Sequence, residues 1–518
     1  MDSATQWPLF RIAAQSVRKN WAFFLLVSLA ILIPCFWHKH IEAGDLGSHI
    51  YNAWLAELVE GGKTPGLWIA SQWNNIAFDL LIGGFAKTVG WVWSERLAVS
   101  ICVLIFFWGL FALVGAAARR APFFLVPLIA MVTYGWTFEQ GFINYYLALG
   151  FSFFALAILW RGTGKERIAS LALVPLIFLA HPLGLVWFAG VAAYLVLSER
   201  FRQYRGLLFA GAALLNVCIT VYLRGRLVTY NSYTPRYLFN GADQIVLYSK
   251  AYEVIAIALT IFVLFALSKD LRSQWNDTEF RQTGGTVLQL YLILQFLVFF
   301  LPFGVLLPGY KAPITYFPHR LTTLSAVLIC MLIGLVRPRK WHLWGYALAA
   351  IMFFSFLYRD TGIVNEMEAQ CDKLVAKLPY GRRVLFTVTD RGLRLNIGHF
   401  VDRSCIGHCF SYGNYEPSTD QFRVRALPGN GVVMTRVPDV WQMEDGVYEV
   451  TSSDLPVDEI YQCGEHGRQL CIQSLAAGEK NNPSPKSGGS PFELDWSISA
   501  RVSSLVRETR QTSKIPSK

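Results

Sequence analysis

The chain has 518 residues, of which 54% are hydrophobic, 15% aromatic and only 16% charged. That balance excludes an ordinary soluble protein. The net charge of +11 falls in short Lys/Arg clusters between apolar runs, at 119–120, 161–167, 200–205, 269–281 and 337–340. Such spacing reports membrane topology and excludes a nucleic-acid groove, which would interleave basic and aromatic residues on one surface. The chain carries no Ser-His-Asp arrangement, Walker loop or dinucleotide fingerprint.

Apolar runs of roughly 15–23 residues, each long enough to cross about 30 Å of hydrocarbon as a helix, predict a polytopic α-helical membrane protein of about eleven spans. In chain order these are 21–37, 95–117, 121–137, 142–160, 166–180, 183–198, 206–223, 250–268, 285–303, 320–336 and 341–357. The first is read as a retained signal anchor behind Arg11, Arg18 and Lys19, because no small-residue cleavage site follows it. Putting the basic clusters inside makes residues 1–20 a cytoplasmic N-terminus and the C-terminal part extracytoplasmic. The stretch 169–197 is too long for one span and divides at His181-Pro182, where proline disfavours continued helix. The amphipathic stretch 73–90 is expected to lie on the outer surface, within a first outer loop of 38–94.

After the membrane domain of 21–357, residues 358–476 turn polar and mixed. A helical pattern over 364–378 precedes strand-like runs at 383–388, 431–435 and 446–450, predicting a small α/β or α+β domain. Residues 477–518, rich in Ser, Pro, Lys and Gly, read as a disordered tail. Five cysteines lie in this part: Cys371, Cys405, Cys409, Cys463 and Cys471. An outward location favours local disulfides over free thiols, or over zinc held with His408 and His466.

On this topology the outer face collects the polar candidates, and the inner loops hold little beyond Lys and Arg. Asp45 and Glu139 are its carboxylates. His49, His181 and His319 are its titratable rings, and Arg236, Lys311 and Arg320 its cations. Asn144 lies in the run Gly141-Phe142-Ile143-Asn144-Tyr145-Tyr146. Glycosyl transfer from a lipid-phosphate sugar requires these types. A carboxylate takes the proton of the acceptor hydroxyl, or holds a metal that does equivalent work, and cations neutralise the departing phosphate. Against this stand plainer readings: Asp45 as a helix cap, His181 as a helix terminator and His319-Arg320 as a headgroup anchor.

An acid directly after the first span (Asp45), an amphipathic helix over 50–59, interfacial helices ending at Gly90 and the passage Ser94-Glu95-Arg96-Leu97 together resemble the GT-C superfamily of integral membrane glycosyltransferases. That group includes the protein O-mannosyltransferases and the lipid A aminoarabinose transferases. Asp45 is followed by Leu46, not by the second acid common among those relatives. The resemblance implies an inverting glycosyltransferase in a bacterial inner membrane. Its donor would be a polyprenyl-phosphate sugar and its acceptor a lipid, protein or glycan. It implies Asp45 as catalytic carboxylate and Glu139 as a second acidic group; His49, one helical turn from Asp45 and able to share its face, joins them as a catalytic candidate. Asn144, His181, Arg236, Lys311, His319 and Arg320 are then substrate-binding candidates. A divalent metal, Mg or Mn, is compatible with this set and not required by it. Two other classes are a lipid-linked saccharide transporter or flippase and a non-catalytic envelope-assembly protein. The near absence of mid-span charges and of internal repeats weighs against the former.

Overall fold

A computed structural model describes residues 8–231, 238–274, 276–388, 397–463 and 468–482. The chain divides into two compact units. The first comprises Met1–Ala43, Gln72–Leu307 and Pro313–Ile363, and the second Gly44–Ser71, Pro308–Ala312 and Val364–Lys518. The first outer loop read from the sequence is therefore split, its 44–71 portion folding with the C-terminal residues.

The first unit is helical. It begins with α1 (Pro8–Lys19) and α2 (Trp21–Leu32), whose axes bend by 81°. The next helix, α3 (Leu46–Glu60), belongs to the second unit. There follow α4 (Ala77–Val89), α5 (Trp91–Ala118), α6 (Val126–Thr133), α7 (Trp136–Glu139), α8 (Ile143–Arg161), α9 (Gly164–Ser170), α10 (Val174–Ala180), α11 (Pro182–Arg200) and α12 (Arg205–Arg226). The series ends with α13 (Lys250–Gln274), α14 (Thr278–Phe300), α15 (Phe317–Leu335) and α16 (Lys340–Val375).

Among the described residues eight helices are long and apolar enough to cross a membrane, or nine if the α1–α2 pair is one bent span. Two expected spans fall short, besides 21–37, which qualifies only as part of the bent α1–α2 pair. Within 121–137 a 3₁₀ turn precedes α6, which stops before Gly135. A side chain at that glycine would meet the Gln244 carbonyl at 2.9 Å. Within 166–180 a 3₁₀ turn at Leu171–Leu173 separates α9 from α10, which carries Pro175 in its first turn. The division at His181-Pro182 is present, with Pro182 opening α11. The last span does not stop at 357 but runs on as one 36-residue helix through the 364–375 pattern, because neither proline nor a cap interrupts it.

Small residues allow the first unit's helices to approach closely. On α5 and α8, Gly109 lies against the Gly150 carbonyl, and Phe106 stacks on Tyr146 with ring centroids 4.1 Å apart. The Ser94-Glu95-Arg96-Leu97 passage forms the start of α5, where it fixes the chain leaving the first apolar helix. Arg96 donates to the carbonyls of Cys35, His38 and Lys39, and Glu95 accepts from the Ile41 N–H. Arg96 is thus a clamp on residues 35–41.

In the second unit α3 is joined by β1 (Leu67–Ile69), and the first unit's ribbon strands are β2 (Val228–Tyr230) and β3 (Gly304–Leu306). After α16 come β4 (Arg383–Thr387), α17 (Phe400–Ser404), β5 (Phe410–Ser411), α18 (Glu416–Thr419), β6 (Val424–Ala426), α19 (Val437–Glu444), β7 (Val457–Cys463) and β8 (Gln469–Leu475). A four-stranded mixed sheet has the order β5-β4-β7-β8, parallel except between β7 and β8. β1 pairs antiparallel with β6, tying the 44–71 segment to the C-terminal residues by backbone hydrogen bonds.

The strand-like run at 431–435 is not a strand. The Asn430 carboxamide accepts the N–H groups of Val432 and Val433, both at 2.8 Å, and turns the chain instead. At 446–450 only an isolated bridge from Glu449 to Lys480 forms. Residues 477–482 belong to this fold and not to a tail: the buried Asn481 donates to Thr387 Oγ1 and to the Met443 carbonyl. The rest of the expected tail, 483–518, lies outside the described residues. One disulfide, Cys463–Cys471, joins β7 to β8. Cys371, Cys405 and Cys409 are buried free thiols, and His408 bonds the Leu378 carbonyl. His466 lies outside the described residues.

The α5–α8 contact gives a direct test. A Cβ at Gly150 would meet Ile105 Cγ2 at 2.8 Å and the Phe106 backbone nitrogen at 2.9 Å, whereas one at Gly190 meets nothing within 4 Å. Gly150→Ala is expected to lower stability by about 1–3 kcal/mol through overpacking, read as a lower melting temperature in detergent. Gly190→Ala should leave it unchanged or raise it.

Candidate functional site

Asp45 occupies the residue before α3, but its side chain makes no capping hydrogen bond. Its carboxylate turns instead to His399, with Oδ1 3.7 Å from Nε2. The other ring nitrogen of His399 meets Asp402 Oδ2 at 2.8 Å. An acid–imidazole–acid chain results, open to solvent at one end: side-chain exposure is 15% for Asp45, 3% for His399 and nil for Asp402.

The local sequence holds this chain in place. Residues 399 and 402 are one turn apart, so the opening of α17 brings ring and carboxylate together. Arg403 on the same helix makes a two-pronged ion pair with Glu368, both bonds 2.7 Å, and Ser404 donates to Asp372. Gly47 lets α3 lie against the backbone at His399, where a Cβ would come within 2.2 Å of the His399 carbonyl oxygen.

Asp402 is further satisfied by the Ser411 hydroxyl and by Asn414 Nδ2 at 3.1 Å. Asn414 continues the network to Ser48 and Asn52, and Ser48 donates to Glu416 at 3.0 Å. His49 lies 3.2 Å from that same Glu416 carboxylate. Asp45 and His49, one helical turn apart, therefore meet different partners in one continuous polar network.

The electrostatics follow from this packing. Burial disfavours charge on His399, but the Asp402 hydrogen bond and charge outweigh it, aided by Asp45 and Glu444, and push the ring up to about 9. It is an imidazolium at neutral pH. Glu444, on α19, is pushed up to about 7 by burial, with the His399 charge opposing.

Other candidates gather in the first unit, at the ends of α7, α8, α10 and α15. The Arg320 guanidinium lies 3.8 Å from the Phe142 ring centroid and 5.8 Å from that of Tyr145, within cation–π range. Tyr145 donates to the Arg320 carbonyl and packs edge-on against His181, whose Nδ1 accepts the Leu183 N–H. His319 packs on Trp136, its ring centroid 5.0 Å away. Asn144 accepts the Phe78 N–H at 2.8 Å and donates to the Asn75 carbonyl, fixing the start of α4. Glu139 is 2% exposed and accepts a hydrogen bond from Tyr248 at 2.9 Å.

Lys311 belongs to the second unit and pairs with Asp420 at 2.8 Å. Arg236 lies outside the described residues. No known family, curated protein or solved structure matches the chain.

His399, Asp402 and Glu416 were not among the residues singled out from the sequence. The three-residue spacing of His399 and Asp402 was a usable local signal. Their meeting with Asp45, more than 350 positions away in the chain, was not.

The His399 charge predicts a pH dependence. A ring that titrates near 6.5 when unfolded and near 9 when folded stabilises the fold fully below pH 6.5, and that contribution disappears as pH rises through 9. It is of the order of 3 kcal/mol. The melting temperature of the full-length protein should fall between pH 6.5 and 9.5, and this fall should flatten in His399→Gln. An undiminished slope in the variant would remove the imidazolium as its source.

Proposed function

We propose that this protein is an integral membrane glycosyltransferase of GT-C type, moving a sugar from a polyprenyl-phosphate donor to an extracytoplasmic lipid, protein or glycan acceptor. The observation that carries the reading is the Asp45–His399–Asp402 chain. It ends in Asp45, a partly exposed carboxylate that follows the first apolar helix in the chain and faces the His399 ring at 3.7 Å.

In the proposed reaction the acceptor hydroxyl gives its proton to Asp45 while its oxygen bonds to the anomeric carbon from the side opposite the phosphate. The bond from that carbon to the phosphate oxygen breaks, and its electron pair leaves with the polyprenyl phosphate, giving inversion. His399 Nε2, 3.7 Å from the Asp45 carboxylate, is the positioning partner of that proton acceptor. The buried Asp402 holds the ring in the orientation that meets Asp45. Within the first unit, Arg320 beside the rings of Phe142 and Tyr145 is the residue proposed to bind a phosphate group.

The deciding experiment is sugar transfer from a panel of radiolabelled polyprenyl-phosphate donors in membranes. Asp45→Asn should reduce transfer at least about 100-fold, consistent with loss of a general base, at an unchanged expression level. His399→Gln should reduce kcat about 10–100-fold, as removal of an orienting partner does. Full transfer by Asp45→Asn would exclude it as the base and shift the reading to Glu139. Separately, Arg320→Gln should weaken binding of polyprenyl phosphate by about tenfold, equivalent to roughly 1.4 kcal/mol, measured by titration of the purified protein.

A further inference from the structure

The helix α1 has a two-sided composition. On a 3.6-residue repeat Leu9, Phe10, Ala13, Ala14 and Val17 share one side, while Arg11, Gln15, Arg18 and Lys19 share the other. Phe10 is 41% and Val17 47% exposed. The bend of 81° to the apolar α2 matters here: if α2 crosses a bilayer, α1 runs nearly along its surface.

A single side chain fixes that attitude. Glu166 is fully buried and serves two helix beginnings at once. Its Oε1 accepts the N–H groups of Leu9 and Phe10 at 2.7 and 3.1 Å, near the start of α1. Its Oε2 accepts the Thr163 N–H at 2.8 Å and the Thr163 hydroxyl, completing the capping box of α9. The two short helices are joined through one carboxylate. Beyond the joint, Ile168 and Leu171 are 69% and 56% exposed, and the exposed Lys165 lies beside them.

We infer that α1 and the α9 region form an interfacial platform that binds the anionic headgroups of phospholipids in the adjacent leaflet. The apolar side enters the acyl boundary, and Arg11, Arg18 and Lys19 contact the headgroup phosphates. The basic side selects a negatively charged lipid surface over a neutral one, and the exposed Phe10 and Val17 select a bilayer over free phosphate. This proposal is independent of any catalytic role for Asp45.

The test uses the full-length protein with Cys218→Ser, because Cys218 is the exposed free thiol among the described residues. Nitroxide labels at Val17→Cys and at Gln15→Cys are read in nanodiscs of phosphatidylcholine with and without phosphatidylglycerol. Val17 should be more accessible to oxygen than to a water-soluble nickel complex, and Gln15 the reverse. By native mass spectrometry, the Arg11→Gln/Arg18→Gln/Lys19→Gln variant should retain several-fold fewer phosphatidylglycerol molecules than the parent. Glu166→Gln should mobilise the label at Val17. A Val17 label that stays water-accessible in both lipid mixtures would overturn the platform. So would unchanged retention of anionic lipid by the triple variant. Protection of Val17 only after soluble protein is added would assign the surface to a protein partner instead.

Discussion

A carboxylate removed from water must be surrounded by hydrogen-bond donors, and the second unit is arranged around meeting that demand at Asp402. With no exposure of its own, it takes donors from His399, Ser411 and Asn414. Those three residues lie on or beside different elements, so satisfying one side chain fixes α17, β5 and the turn before α18 together. Loss of any donor leaves a buried charge short of partners, which costs more than the bond itself contributes. The positive charge on His399 and the orientation of Asp45 are consequences of this arrangement.

The membrane unit meets the same constraint by other means. Its spans carry few charges, and its polar side chains are used mostly on backbone groups where helices end. Asn144 fixes the start of α4, Arg96 binds the carbonyls of residues 35–39, and Glu166 serves two helix beginnings. Between the ends, helices associate through close packing at residues such as Gly109 and Gly150, since a greasy exterior gives no hydrophobic drive for one helix to prefer another.

Helices of this kind are legible in a sequence because a span is a local property: length and apolarity decide it. Nine of the eleven apolar runs coincide with helices long enough to span, counting the bent α1–α2 pair as one, and the errors arise where a local break competes with apolarity, at Gly135 and at the turn before Pro175. The strand-like run at 431–435 failed because the side chain of Asn430 captures the two N–H groups that a ladder would use. Of the candidate site, Asp45 and His49 were visible from their place after the first apolar helix. The partners they meet were not, because His399, Asp402 and Glu416 reach them only through the tertiary fold. A hydrophobic pattern records which face is buried and carries no trace of which distant residue covers it.

The second unit is assembled from separated pieces of chain: Gly44–Ser71, Pro308–Ala312 and residues from Val364 onward. This has a consequence for biosynthesis. During translation at about 5–20 residues per second, roughly 290 residues must be made after Ser71 before the first residue of the C-terminal portion appears. For some 15–60 seconds α3 exists without the elements that bury it, and β1 exists without β6 to pair its edge. Leu46, Ile50, Tyr51 and Leu55, all buried in the finished fold, are then exposed on a nascent chain whose apolar helices are still being inserted. The α3–β1 segment can complete its fold only after the C-terminal residues have emerged.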